Sequence, residues 1–222
     1  MSNHSAPRGN LVLLLSAVAL AAAGIAQLTH TRAPSGPPQP ATAVIGTLPP
    51  LSATTAPRTT APSGLPYALP THIDIPAVNV HAEIMTVDLG PGNTLGTPPL
   101  DNAKVAGWYD RGPAPGQDGA AIIDAHVDSA LMKDYRGAFF TLGEAKPGMQ
   151  VEVTRADHTV AVFTIDEVQA ALKTDFPTAK VYAPTPDPTL RLITCGGAYD
   201  SKTHEYLGNT IVYAHLTDTH VN

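Results

Sequence analysis

Two stretches decide how this chain is read: Gly119-Ala-Ala-Ile-Ile-Asp-Ala-His126 and Leu190-Arg-Leu-Ile-Thr-Cys-Gly-Gly197. The first is a run of small and β-branched residues suited to a buried strand, and it ends on a histidine. The second alternates, with Leu190, Leu192 and Thr194 on one face and Arg191, Ile193 and Cys195 on the other. Two glycines follow the cysteine at once, which predicts that the strand stops there and that backbone beside the thiol admits close approach. A thiol and an imidazole at the mouths of two buried strands are the residue types that nucleophilic acyl chemistry needs. Asp128, two residues past His126, shares its face if the backbone stays extended, and from there it can orient the ring. Both residues also have a plain structural use, the histidine as a hydrogen bonder and the cysteine as a small buried hydrophobe. Spacing alone leaves the two readings open.

Working outward, the same short-strand pattern recurs over 71–75, 79–85, 150–155, 160–169, 180–182, 189–195 and 210–216. Pro113-Ala-Pro-Gly116, Pro147-Gly148, Asp157-His158 and Pro184-Thr-Pro-Asp-Pro188 separate these runs with turn chemistry. Only 129–142 has helical spacing, with Leu131, Tyr135 and Phe139 four residues apart. The fold class is therefore mostly β, a barrel or a sandwich of eight strands with one or two short helices.

The N-terminal third differs in kind. Residues 1–66 hold no Asp or Glu and three cations, Arg8, Arg32 and Arg58. All nineteen acids lie in 67–222 beside ten Lys and Arg, a net charge of −9. Such a surface excludes nucleic acid as a partner, because phosphate binding needs cationic groups. Residues 11–28, LVLLLSAVALAAAGIAQL, carry no charge and as a helix reach roughly 27 Å, the thickness of a hydrocarbon core. The organisation expected is a membrane anchor or signal segment over 1–32, a Pro-rich disordered linker over 33–66 and a single domain over 67–222. The anchored reading places the domain at the cell membrane, outside the cytoplasm. One cysteine in 222 residues rules out a disulfide framework and any thiolate-rich metal site, and no cofactor is expected.

Asp124-Ala-His126-Val-Asp-Ser129, followed 69 residues after the histidine by the end of Leu192-Ile-Thr-Cys195, resembles the sortase family. The likeness continues in Gly107-Trp-Tyr109, Gly112-Pro-Ala-Pro-Gly116, Phe176-Pro-Thr178, Thr194-Cys-Gly-Gly197 and Tyr199-Asp200, and it is greatest to the class F sortases of high-GC Gram-positive bacteria. The resemblance implies a closed eight-stranded barrel and a cysteine transpeptidase. Cys195 would attack the Thr carbonyl of an LPXTG-like sorting signal on a secreted protein. His126 would carry protons to the leaving amine and from the acceptor amine, such as a peptidoglycan precursor. The family also uses an arginine near the oxyanion, and here the chain departs from it: no arginine follows Cys195. Asn209 falls near the expected place, and Arg191 shares the face of Cys195; with Asp128 these are the candidate substrate-binding residues. Arg111 and Arg136 are the next cations in line. Competing readings are a non-catalytic binding barrel and another cysteine hydrolase. Against rival enzymes with the same Cys/His pair, a cell-wall L,D-transpeptidase or a cysteine peptidase, L,D-transpeptidases place Ser-His-Gly before the cysteine, and papain-like peptidases place the cysteine before the histidine.

Overall fold

The computed structural model describes residues 36–40 and 62–222. Chain contacts divide the protein into Met1–Pro34 and Ser35–Asn222, and every described residue belongs to the second unit. The apolar stretch 11–28 lies outside the described residues. Among those described, no helix is long and apolar enough to cross a membrane.

Eight strands close into a barrel: β1 (Pro70–Ile75), β2 (Val80–Val87), β3 (Ala106–Tyr109), β4 (Gly119–Asp124), β5 (Gln150–Arg155), β6 (Thr159–Leu172), β7 (Pro188–Asp200) and β8 (Glu205–Val221). Their order around the barrel is β1-β2-β3-β4-β7-β8-β6-β5, with β5 returning to β1. The β2–β3 and β4–β7 pairs are parallel and the others antiparallel. Closure leaves no open sheet edge, which settles barrel over sandwich.

Alternation along the strands builds two apolar layers. Ile73, Trp108, Ile123, Val153, Phe163, Leu192 and Val212 point inward and fill the interior. The residues between them on three adjacent strands, Ile122, Ile193, Ile211 and Tyr213, form a second cluster on the outer face. Val181 of the one α-helix among the described residues, α1 (Thr178–Tyr182), seals that cluster. Each such side chain taken from water contributes about 1.5–3 kcal/mol.

Four details differ from the sequence reading. Residues 180–182, read as a strand, are the end of α1, started by Pro177; the eighth strand is instead the short β3, whose four residues give too little alternation to register. No helix forms over 129–142. Tyr135 takes a left-handed φ of 59°, Asp128 bridges to Arg136, and only Leu142–Glu144 makes a 3-10 turn. β7 does not stop at Cys195 but runs on through an irregularity between Gly196 and Tyr199. Gly197 sits there at φ +79°, a conformation L side chains rarely adopt.

Two pieces of the Pro-rich stretch rest on the barrel where the sequence predicts a free spacer. Leu65 N donates to the Gly116 carbonyl at 2.7 Å, Pro66 O accepts from the buried Arg155 guanidinium, and Tyr67 packs against Trp108. Within 36–40, Gln39 Oε1 accepts from Gly197 N at 2.5 Å, while Pro37 and Pro40 are buried.

Candidate active site

β4 and β7 run parallel with Asp124 opposite Ile193. Residues 124 and 193 are offset by the same 69 positions as His126 and Cys195. The pairing carries on past the end of β4: Ala125 N donates to Ile193 O at 3.2 Å, and Thr194 Oγ1 donates to Ala125 O at 2.8 Å. The register that buries Ile123 and Leu192 inside the barrel thus brings the histidine and the cysteine to neighbouring places outside it. On the far side of β7, Asn209 of β8 stands directly opposite Cys195.

Cys195, His126 and Asn209 line one cavity of about 890 Å³. Its floor is the outer face of β3, β4, β7 and β8, carrying Tyr109, Asp124 and Ile193 as well as the pair itself. One wall is the loop after β2, with Leu89, Leu95 and Thr97; the other is the connection from β6 to α1, with Lys173, Phe176 and Tyr182. Arg111 holds the first wall to β3, its Nε and Nη2 each 2.6 Å from an Asp88 carboxylate oxygen.

The imidazole is held by the loop rather than by the sulfur. His126 Nε2 lies 2.6 Å from the Pro98 carbonyl. A carbonyl only accepts, so Nε2 carries a proton and Nδ1 is the nitrogen left for proton transfer. The segment read as a helix braces the same residue: Phe139 N donates to His126 O at 3.1 Å, and Gly137 N donates to Val127 O at 2.9 Å.

Burial pushes the Cys195 thiol up, and the charges of Asp128 and Glu205 add to the rise. The Lys173 ammonium pulls it the other way. The sulfur therefore rests as the thiol at neutral pH and must give its proton to a base during attack. Lys173 is the one Lys or Arg that lines the cavity among the described residues; it is also 3.3 Å from Glu205.

Three sequence expectations change. Asp128 does not orient His126: its carboxylate accepts from the Tyr206 hydroxyl, because the backbone leaves the extended form after β4 and face parity no longer holds. Arg191 does not reach the cavity. Its guanidinium stacks over the Tyr213 ring, 5.1 Å from the centroid, and Nη1 donates to Leu190 O at 3.1 Å. It is 7% exposed, buried in the outer apolar layer four residues short of the cysteine. Arg111 and Arg136 are also engaged elsewhere, the latter over the Phe140 ring. Asn209 does stand at the cavity, its Nδ2 donating to the Thr194 carbonyl at 3.2 Å. Sequence reasoning passed over Asp124 and Lys173. The first had a signal, being the one acid in an otherwise apolar strand. The second had none, since it stands in a turn 22 residues before the cysteine.

A family model described as Sortase domain matches residues 73–217. The chain belongs to the sortase family. Members of that family are transpeptidases, and the site just described lies wholly within the matched residues. Among solved structures, sortase A of Listeria monocytogenes superposes with a TM-score of 0.52 at 18% identity, covering 70% of this chain and 92% of that one. The SrtA sortase from Actinomyces oris gives 0.52 at 22% identity, covering 74% and 90%. At these identities the likeness is one of sortase fold. No curated protein matches the chain.

Proposed function

We propose that this sortase-family chain is a cysteine transpeptidase of the class F kind, acting outside the cytoplasm on an LPXTG-like sorting signal. The observation that carries the reading is the register of β4 and β7, which sets a histidine and the only cysteine side by side on the floor of one cavity. A thiol used as a small hydrophobe needs no imidazole beside it and no open cleft above it.

In this reading the Cys195 thiol gives its proton to His126 Nδ1 as Sγ attacks the Thr carbonyl of the signal. The C–S bond forms, the proton passes to the leaving glycine nitrogen, and the C–N bond breaks. An acceptor amine, such as one on a peptidoglycan precursor, then attacks the thioester. Its proton goes through the imidazole to the sulfur, and a new amide leaves with the thiol restored. Asn209, opposite Cys195, supplies an amide donor where the family has an arginine, and Lys173 supplies the positive charge. The apolar stretch 11–28 would hold the domain to the membrane, and secreted proteins bearing the signal are its partners. Asp128, tied to Tyr206, supports the rim of the site rather than a substrate.

Incubating the protein with a signal peptide and a small amine, followed by mass analysis of the products, tests this reading. A peptide joined to the amine is expected. Cleavage without joining would make it a hydrolase, and an untouched peptide would favour a binding barrel.

A further inference from the structure

We propose that Asp124 is the polar anchor of the cleft floor, a substrate-contacting residue whose carboxyl group hydrogen-bonds a peptide group of the acyl donor. The inference rests on the transpeptidase reading and adds to it a determinant of donor binding. Asp124 is 5% exposed and sits on the outer face of β4, between Gly107 on β3 and Ile193 on β7. The fit against β3 needs the glycine: a Cβ at Gly107 would come within 2.8 Å of Asp124 Oδ1. Oδ1 is buried with no hydrogen-bond partner among the described residues. A buried polar atom left unpaired is costly, roughly 1–3 kcal/mol, so a carboxyl retained in an apolar floor calls for a partner that arrives. The cavity it lines is the one that holds Cys195 and His126, so that partner is the donor peptide itself.

Burial also fixes the form in which the group works. Desolvation pushes Asp124 up to about 8, so at neutral pH it is the uncharged acid. Its O–H then donates to a substrate carbonyl. As the carboxyl ionises above that value the donor is lost, and a negative charge appears beside a peptide carbonyl. Titratable groups facing it across the cleft are Tyr109 from β3, His126 from just past the end of β4, Cys195 from β7, Tyr182 from α1 and Lys173 from the turn after β6. These are shared by the parent enzyme and its Asp124 variants, so a ratio of the two isolates Asp124.

Steady-state transpeptidation of a labelled signal peptide between pH 7 and 9 tests the proposal on the parent, Asp124→Asn and Asp124→Ala, each first checked by thermal melting. At pH 7 the expected KM of Asp124→Ala is about tenfold above the parent with kcat little changed, and Asp124→Asn falls between them. From pH 7 to 9 the parent's KM should climb by about tenfold relative to that of Asp124→Asn, whose amide never ionises. An unchanged KM in Asp124→Ala at pH 7 overturns the proposal. So do parent and Asp124→Asn profiles that stay parallel to pH 9, which is the deciding comparison should Asp124→Ala not fold. A parent that turns over no peptide contradicts the transpeptidase reading itself, and the proposal falls with it.

Discussion

At the scale of single residues the site is a contest between burial and charge. Cys195 is made a weaker acid by its surroundings, and Lys173 is the cation opposing that trend. Removing the ammonium should raise the thiol further, so Lys173→Ala is expected to slow alkylation of Cys195 by iodoacetamide by about threefold at pH 7.5. An alkylation profile identical to the parent's would remove Lys173 from the electrostatics of the sulfur. Asn209 and Arg191 separate in the same spirit. Asn209 faces Cys195 across the β7–β8 ladder, so Asn209→Ala should lower kcat, by as much as about 10²-fold if its amide meets the oxyanion. Arg191 lies under Tyr213, away from the cavity, so Arg191→Ala should leave KM alone and cost about 1–3 kcal/mol of stability through lost packing. Kinetics and denaturant melts on the two variants check both statements; a KM effect at Arg191 would reopen its claim on the substrate.

At the scale of elements, the segment from Ser129 to Glu144 matters more than its lack of regular structure suggests. It folds back on the end of β4, ties Ser129 Oγ to the Leu100 carbonyl at 2.7 Å and hydrogen-bonds the backbone of His126. Gly137 is the pinch point: a Cβ there would meet His126 O at 2.0 Å and its carbonyl carbon at 2.5 Å. Neither is a flexible side-chain tip, so Gly137→Ala must push the histidine's backbone. We expect a loss of about 1–3 kcal/mol in stability and a fall in kcat larger than that in fold population. A variant that melts and turns over like the parent would show that the brace has slack. Helical spacing at Leu131, Tyr135 and Phe139 misleads here because Tyr135 adopts the left-handed form and the segment answers to β4 rather than to itself.

For the whole molecule, the sequence made the barrel legible where alternation was long and left it obscure where elements were short. Alternation marks β5 to its last residue and the β4–β7 pair to the two side chains it brings together, because burial on one face writes itself into every second side chain. β3 and α1, four and five residues long, carry no such record, and the place of Asp128 depended on where β4 ends. Contacts distant in sequence were also hidden. Nothing in Pro66 announces that its carbonyl satisfies a guanidinium 89 residues away, with Nε and Nη1 of Arg155 already unpaired. A chain beginning at residue 62 keeps these contacts and, although it loses those of 36–40, should still fold into the barrel. One beginning at residue 70 should lose about 2 kcal/mol or more, since the buried Arg155 guanidinium loses the Pro66 carbonyl and keeps only Asp157, 3.4 Å away, among the described residues. Equal melting temperatures for the two would place the boundary of the domain at β1. The central claim, that Cys195 forms a thioacyl-enzyme with the help of His126, is tested most directly by the intact mass of the protein during turnover of a signal peptide. The account predicts an adduct equal to the peptide's acyl part, mapped to Cys195, absent in Cys195→Ala and reduced by roughly 10²-fold in its rate of formation in His126→Ala. Joined product formed with no adduct on Cys195, or an adduct that persists in Cys195→Ala, would contradict it.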